Sequence, residues 1–173
     1  MTTGNSEISS LFLEFTRKDL IDKYWLQLRE AVCSLTEEQV WWRPNDASNS
    51  IGNLLLHLNG NVRQWIVTSF DKVEDCRNRP QEFAERGPTP VSGLLAKLAS
   101  TLEEAGTVLG RLTPEDLTAS YTIQGKTVTG MEAIFHSVSH FILHYGQIVY
   151  AVKSLQNRDM GFRREVTASG QAV

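Results

Sequence analysis

The sequence predicts an all-α fold, a four-helix bundle with a small β-hairpin before the last helix. Apolar residues recur at helical spacing over four long stretches, near 7–35, 50–70, 89–111 and 129–155. The last three of these open on capping chemistry, and one short segment of alternating β-formers precedes the fourth. A chain of 173 residues is long enough to bury a core as one domain.

In the first stretch, Leu11, Phe15, Leu20, Tyr24, Leu28, Ala31 and Val32 form the apolar stripe, with Cys33 on the same side. Thr36 with Gln39 three residues on is a capping box, opening a short turn that Pro44 stops. Ser48, Asn49 and Ser50 all offer caps for the second helix. Residues 71–89 are charged and non-periodic and carry Pro80, Gly87 and Pro88, which reads as a crossover connection. Thr89 and Pro90 form an N-cap and first-residue pair for the third helix, whose stripe is Leu94, Leu95, Leu98, Leu102, Ala105 and Leu109. Ser120 to Val128 reads as a hairpin turning at Gln124-Gly125, and Thr129 with Glu132 caps the fourth helix. The expected domain is 1–156, followed by a flexible polar tail over 157–173.

Composition excludes several classes. Net charge is −3 with scattered basic residues, so there is no stripe for nucleic acid. No apolar run approaches the roughly 20 residues of a membrane helix, and no signal peptide is recognisable. Cys33 and Cys76 form no C-x-x-C pair, as expected of free thiols in a reducing cytoplasm.

The chain has four histidines, and three of them, His136, His140 and His144, are spaced by four in EAIFHSVSHFILHYGQI. That spacing puts them on one helical face. The fourth, His57, lies in the apolar segment IGNLLLHLNGN. Adjacent histidines at i and i+4 chelate one ion, as in H-x-x-x-H patterns. The outer two of three lie about 12 Å apart along the axis at 1.5 Å per residue, so one pair binds and the third does something else. Spacing alone leaves His136/His140 and His140/His144 both open. Either pair takes its third ligand from His57, the only histidine left. A His₃ set without a carboxylate keeps a coordination position open for water, the catalytic type of site.

Asn53 and Asn61 lie one turn either side of His57 and Gln64 lies two turns on, so all are placed to hold a ligand or orient an imidazole. Gln147 stands at i+3 from His144 in the same role, and Gly146 beside it lets another element approach. Trp41, Trp42 and Trp65 belong to the core or to a pocket wall. No nucleophile elbow, P-loop or dinucleotide motif is present. No carboxylate neighbours the histidines in sequence, so no general base is apparent, and Arg43 and Arg63 are the basic residues expected near the site.

SNSIGNLLLHLNGNVRQW followed downstream by HSVSHFILHYGQI resembles the DinB/YfiT-like family of bacterial metal-binding four-helix bundles. The W-R-P segment and the hairpin before the last helix fit as well, and the likeness spans about residues 7–155. The resemblance implies an up-down-down-up bundle with the long crossover between helices two and three. It implies a nickel or zinc ion held by His57, His140 and His144, the G-Q after His144 setting the register, with His136 left to line the pocket. It also implies a homodimer, and an activity among metal-dependent hydrolases or thiol S-transferases acting on a small-molecule substrate or low-molecular-weight thiol. The rival expectation is a dimeric, non-catalytic metal-binding protein serving in stress response.

Overall fold

The first periodic stretch forms a rod of three consecutive segments: α1 (Thr2–Arg17), a π-helical segment (Lys18–Trp25) and α2 (Leu26–Cys33). The computed structural model describes residues 2–87 and 89–162. A short α3 (Glu37–Trp41) follows, opened by the Thr36–Gln39 capping box. The second rod is α4 (Ile51–Val62), a π-helical segment (Arg63–Thr68) and α5 (Ser69–Asp71). Then come α6 (Arg79–Ala84), the long α7 (Val91–Leu109), α8 (Pro114–Thr118), the strands β1 (Ser120–Ile123) and β2 (Lys126–Thr129), and α9 (Gly130–Gln156).

Side-chain bonds fix the helix directions. Thr101 donates to Asn59 at 2.8 Å, Arg63 pairs with Glu104, and Arg111 pairs with Asp71, so partners advance together and α7 runs parallel to the second rod. Tyr145 donates to Gln27, and Gln156 donates to the Ser34 carbonyl, so α9 runs parallel to the first rod. His57 meets His140 while Trp65 meets His136, an antiparallel pairing of α4 with α9. The order is up-down-down-up. Leu20 and Leu28, Leu58, Leu98, Phe141 and Ile148 are fully buried where the four rods meet.

β1 and β2 pair antiparallel from Ser120↔Thr129 to Ile123↔Lys126. Gln124 (φ 52) and Gly125 (φ 74) both take the positive φ that a two-residue hairpin turn of this hand requires.

The structure corrects several expectations. α1 reaches back to Thr2, and the 71–89 stretch is not wholly irregular, because Asn78 caps α6 and Pro80 sits in its first turn. Thr113 with Asp116 caps the unexpected α8. α7 is N-capped by Pro90, with Val91 as its first residue, because the Thr89 carbonyl is engaged by Trp41 Nε1. Cys33 is exposed rather than packed. A Cβ at Gly146 would meet nothing within 4 Å, so among the described residues no element approaches there. Met160 and Phe162 pack against the core, so residues 157–162 are not a free tail, and 163–173 lie outside the described residues. Among the described residues no helix is long and apolar enough to cross a membrane.

The crossover is fastened to α4. Asn53 accepts from the Ser50 amide in the capping box, while its Nδ2 donates to the Glu82 and Glu85 carbonyls at 2.9 Å each. At Gly60 an added Cβ would collide with Glu82 Oε1 and lie 2.7 Å from Arg77 Nε. Alanine is the better helix former by about 1 kcal/mol, yet Gly60→Ala is expected to lower stability in urea denaturation because the crossover must lift. A more stable variant would show that α6 is not held against this helix.

Candidate metal centre

Ser50 and Asn53 start α4 with a capping box, and two turns later His57 enters the bundle seam with 3% of its surface exposed. The antiparallel pairing with α9 brings His140 and His144 to meet it. His57 Nε2 lies 2.9 Å from His140 Nε2, and the ligand atoms of the three histidines all fall within 4.8 Å of one another. Tetrahedral bonds of about 2.0–2.1 Å would set such nitrogens about 3.4 Å apart, and the observed separations span that value. His140 and His144 are half-buried, so the cluster is not sealed.

The outer nitrogens carry partners that decide the tautomers. Glu82 Oε2 stands 2.8 Å from His57 Nδ1. A carboxylate only accepts, so Nδ1 carries the hydrogen and the Nε2 lone pair faces inward. Arg77 Nη2 also lies 3.1 Å from that Nδ1, but its charge-assisted donation to Glu82 Oε2 at 2.9 Å takes precedence. His144 Nδ1 donates to Gln147 Oε1 at 2.7 Å, which leaves its Nε2 lone pair free in the same way.

His136 stands apart from the three. Its ring stacks on Trp65 at 3.8 Å and lies parallel to His140 at 5.5 Å, forming an aromatic wall beside the cluster. Trp65 is therefore both core and wall, while Trp42 is 46% exposed. Gln147 is placed as expected, against His144. Asn53 is not beside the imidazoles: the capping box and crossover carbonyls use its polar atoms. Asn61 is buried in α4, and its Oδ1 has no protein partner among the described residues, nor do Trp65 Nε1 and Ser137 Oγ. Gln64 accepts from Arg77 and from Gln124 at the hairpin tip and donates to Asp75.

Sequence reasoning missed a carboxylate and a guanidinium. Glu82 and Arg77 come from the crossover, 25 and 20 positions from His57, where no periodicity marks them. Their side chains are 10% and 5% exposed. The signals available were Asn78-Arg79-Pro80, which starts α6, and Gly60, a helical glycine on the face the crossover covers. Arg63, expected near the site, pairs with Glu104 in solvent and lines a cavity together with Arg77 and Glu82. Two cavities reach residues bonded to the cluster, though none of the three histidines lines either. One, of about 570 Å³, is lined by Arg63, Gln64, Arg77, Glu82 and Lys97, and the other, of about 510 Å³, by Trp42, Leu54, Gln147 and Tyr150.

The family model described as "Protein of unknown function (DUF1572)" matches residues 7–163. The chain belongs to that family. No curated protein matches it. Among solved structures it is similar to a DinB-like protein from Bacillus cereus ATCC 10987, with a TM-score of 0.55 and 14% identity over 78% of this chain and 87% of that one. The fold is thus the DinB-like one that the histidine motifs resemble.

Electrostatics disfavour the protonated form of the three imidazoles on the family member's α9. Burial, then His144, His57, His136 and Arg77, push His140 down to about 3. Burial also lowers His144, against the Gln147 hydrogen bond that raises it, and lowers His136 with help from Lys126 and Arg77. Burial would raise Glu82, but hydrogen bonds from Arg77 and His57 outweigh it and hold the carboxyl below its usual value.

The lowered His140 has a definite sign in stability. The unfolded chain binds a proton near pH 6.5 while the folded one does not until about 3, so stability rises with pH across that window and is lost as pH falls through it. Metal-free protein should therefore lose urea resistance between pH 6.5 and 5, and His140→Gln should lose less. Parallel curves for the two proteins would contradict a neutral, desolvated His140.

Proposed function

We propose that this protein binds one divalent transition ion through His57, His140 and His144 and uses it as a metal-dependent hydrolase. The convergence of three imidazole nitrogens within 4.8 Å carries the reading. Its support is the donor chemistry: His140 and His144 are held towards the neutral form, and in His57 and His144 the outer nitrogen is engaged so that the inner one offers a lone pair. Imidazole donors suit zinc and nickel, the two ions the family resemblance implies. When bound, such an ion would supply a Lewis acid that lowers the pKa of a water or thiol at its remaining position.

The half-exposure of His140 and His144 favours a reactive ion over a purely structural one, whose site is usually closed. Thiol transfer is the second reading. It needs cations for a thiol carrier's carboxylates, and Arg77 and Arg63 are already committed to Glu82 and Glu104. Hydrolysis needs neither. The seat we assign to a small-molecule substrate is the cavity walled by Trp42, Leu54 and Tyr150, which is joined to the cluster through Gln147, the partner of His144. The two free cysteines fit work in a reducing cytoplasm.

Elemental analysis of protein purified without chelators tests the metal reading. About one zinc or nickel per chain is expected in wild type and in His136→Ala. His57→Ala, His140→Ala and His144→Ala should each lose it. Wild type that stays metal-free after incubation with both ions would sink the proposal.

The same reading includes a homodimer. α9 exposes Phe135 (66%), Leu143 (59%) and Tyr150 (75%) along one side, with the open Gly146 between them. A mid-helix glycine costs about 1 kcal/mol, and nothing among the described residues explains it. Close approach by α9 of a second copy does. Light scattering should give a dimer for wild type and a monomer for Phe135→Glu/Leu143→Glu, with an unchanged dimer in the variant counting against this surface.

A further inference from the structure

We infer that Glu82, held by Arg77 on the crossover, is a positioning residue of the metal centre, so that docking of the crossover and metal binding reinforce each other. The inference rests on the metal reading above and extends it to a segment that carries none of the three histidines.

The contacts run in a chain. Arg77 grips Glu82 with two parallel bonds, Nε to Oε1 at 2.7 Å and Nη2 to Oε2 at 2.9 Å. Glu82 Oε2 then accepts from His57 Nδ1 at 2.8 Å. Phe83, the next residue, lays its ring against His57 at 4.7 Å. One turn of α6 thus fixes both the tautomer and the plane of the imidazole. Arg77 is itself held, donating through Nη1 to Gln64 at 2.8 Å, and Gln64 also accepts from Gln124 at the hairpin tip.

Docking alone does not account for this choice of residues. Burying an ion pair costs desolvation of both charges, and apolar side chains of similar size pack a connection as well or better. Two carbonyl bonds from Asn53 and the absence of a side chain at Gly60 already fasten α6. What an apolar pair cannot supply is an anionic acceptor for His57 Nδ1, which raises the ligand's basicity and aims its inner lone pair. Arg77 in turn keeps that carboxylate from being an unpaired buried charge.

A partner that holds a ligand in its binding orientation is held by the bound state to the same degree, because coupling free energies are reciprocal. Zinc should therefore tighten the crossover, and loosening the crossover should weaken zinc.

The test combines zinc affinity, measured by chelator competition, with amide hydrogen exchange over 79–85. In wild type, zinc should slow exchange across α6 several-fold. Glu82→Ala should weaken zinc about 10–100-fold and abolish the slowing, while Glu82→Gln, which keeps an acceptor oxygen, should lose less. Asn53→Ala loosens α6 without touching the imidazole and should weaken zinc less than Glu82→Ala. Zinc affinity within twofold of wild type in Glu82→Ala overturns the inference, as does equal loss in Asn53→Ala. Should Glu82→Ala fail to fold, Glu82→Gln and the wild-type exchange decide, and no zinc effect over 79–85 counts against it. Wild type that takes up no zinc brings down the metal reading itself, a result distinct from all of these.

Discussion

The structure depends on three imidazole nitrogens being held face to face across one helix seam. Neutral rings there are hydrogen-bonding groups taken from water, and each needs a partner or it costs free energy. Burial first, and then repulsion from the neighbouring rings, would penalise a charged His140, which is why it is driven so far down. The seam tolerates the cluster only if the ring orientations are fixed from outside. Glu82 and Gln147 do that from opposite sides, one on α6 and one on α9. The half-exposed faces of His140 and His144 leave the cluster one approach from solvent.

Topology explains how a carboxylate reaches a histidine so far away in the chain. α4 and α7 run parallel, so the chain must return the length of the bundle between them. Any such return passes along the outer surface of a helix, here α4, and so along the back of His57. The connection that the bundle order forces is therefore also the nearest segment able to deliver an acceptor to Nδ1. Gly60 and Asn53 are the two concessions α4 makes to it: one removes a side chain and the other turns a capping residue outward to bind carbonyls.

Much of this was legible because it is local. Thr36–Gln39 and Thr129–Glu132 are read from four residues, Gln124-Gly125 from two, and the histidine spacing from one helical face. The choice of His140 and His144 over His136 was not legible in the spacing. The family resemblance implied it through the G-Q after His144, and its physical reason is the antiparallel register of α4 and α9, which sets Trp65 against His136. Glu82 and Arg77 were illegible for a related reason. A charged residue in a connection looks the same whether it faces solvent or a buried ring, and only the packed partner distinguishes the two. Asn53 shows the converse, since its helical position pointed at the histidines while the backbone of another segment claimed its polar atoms.

His136 brings these strands together. It stacks on Trp65 and lies parallel to His140, so it extends the row of rings without joining the converging nitrogens. One turn along the helix is enough to change its role, because ligation is set by where lone pairs meet and not by which face a residue occupies. A bound ion would thus tie α4 to α9 at a single level of the bundle, the level at which the crossover also presses on His57. Above it, the Trp65–His136 stack fills the seam with flat surfaces that need no ion. The helix face supplies four imidazole positions in all with His57, and the fold, through register and crossover, selects the three that converge.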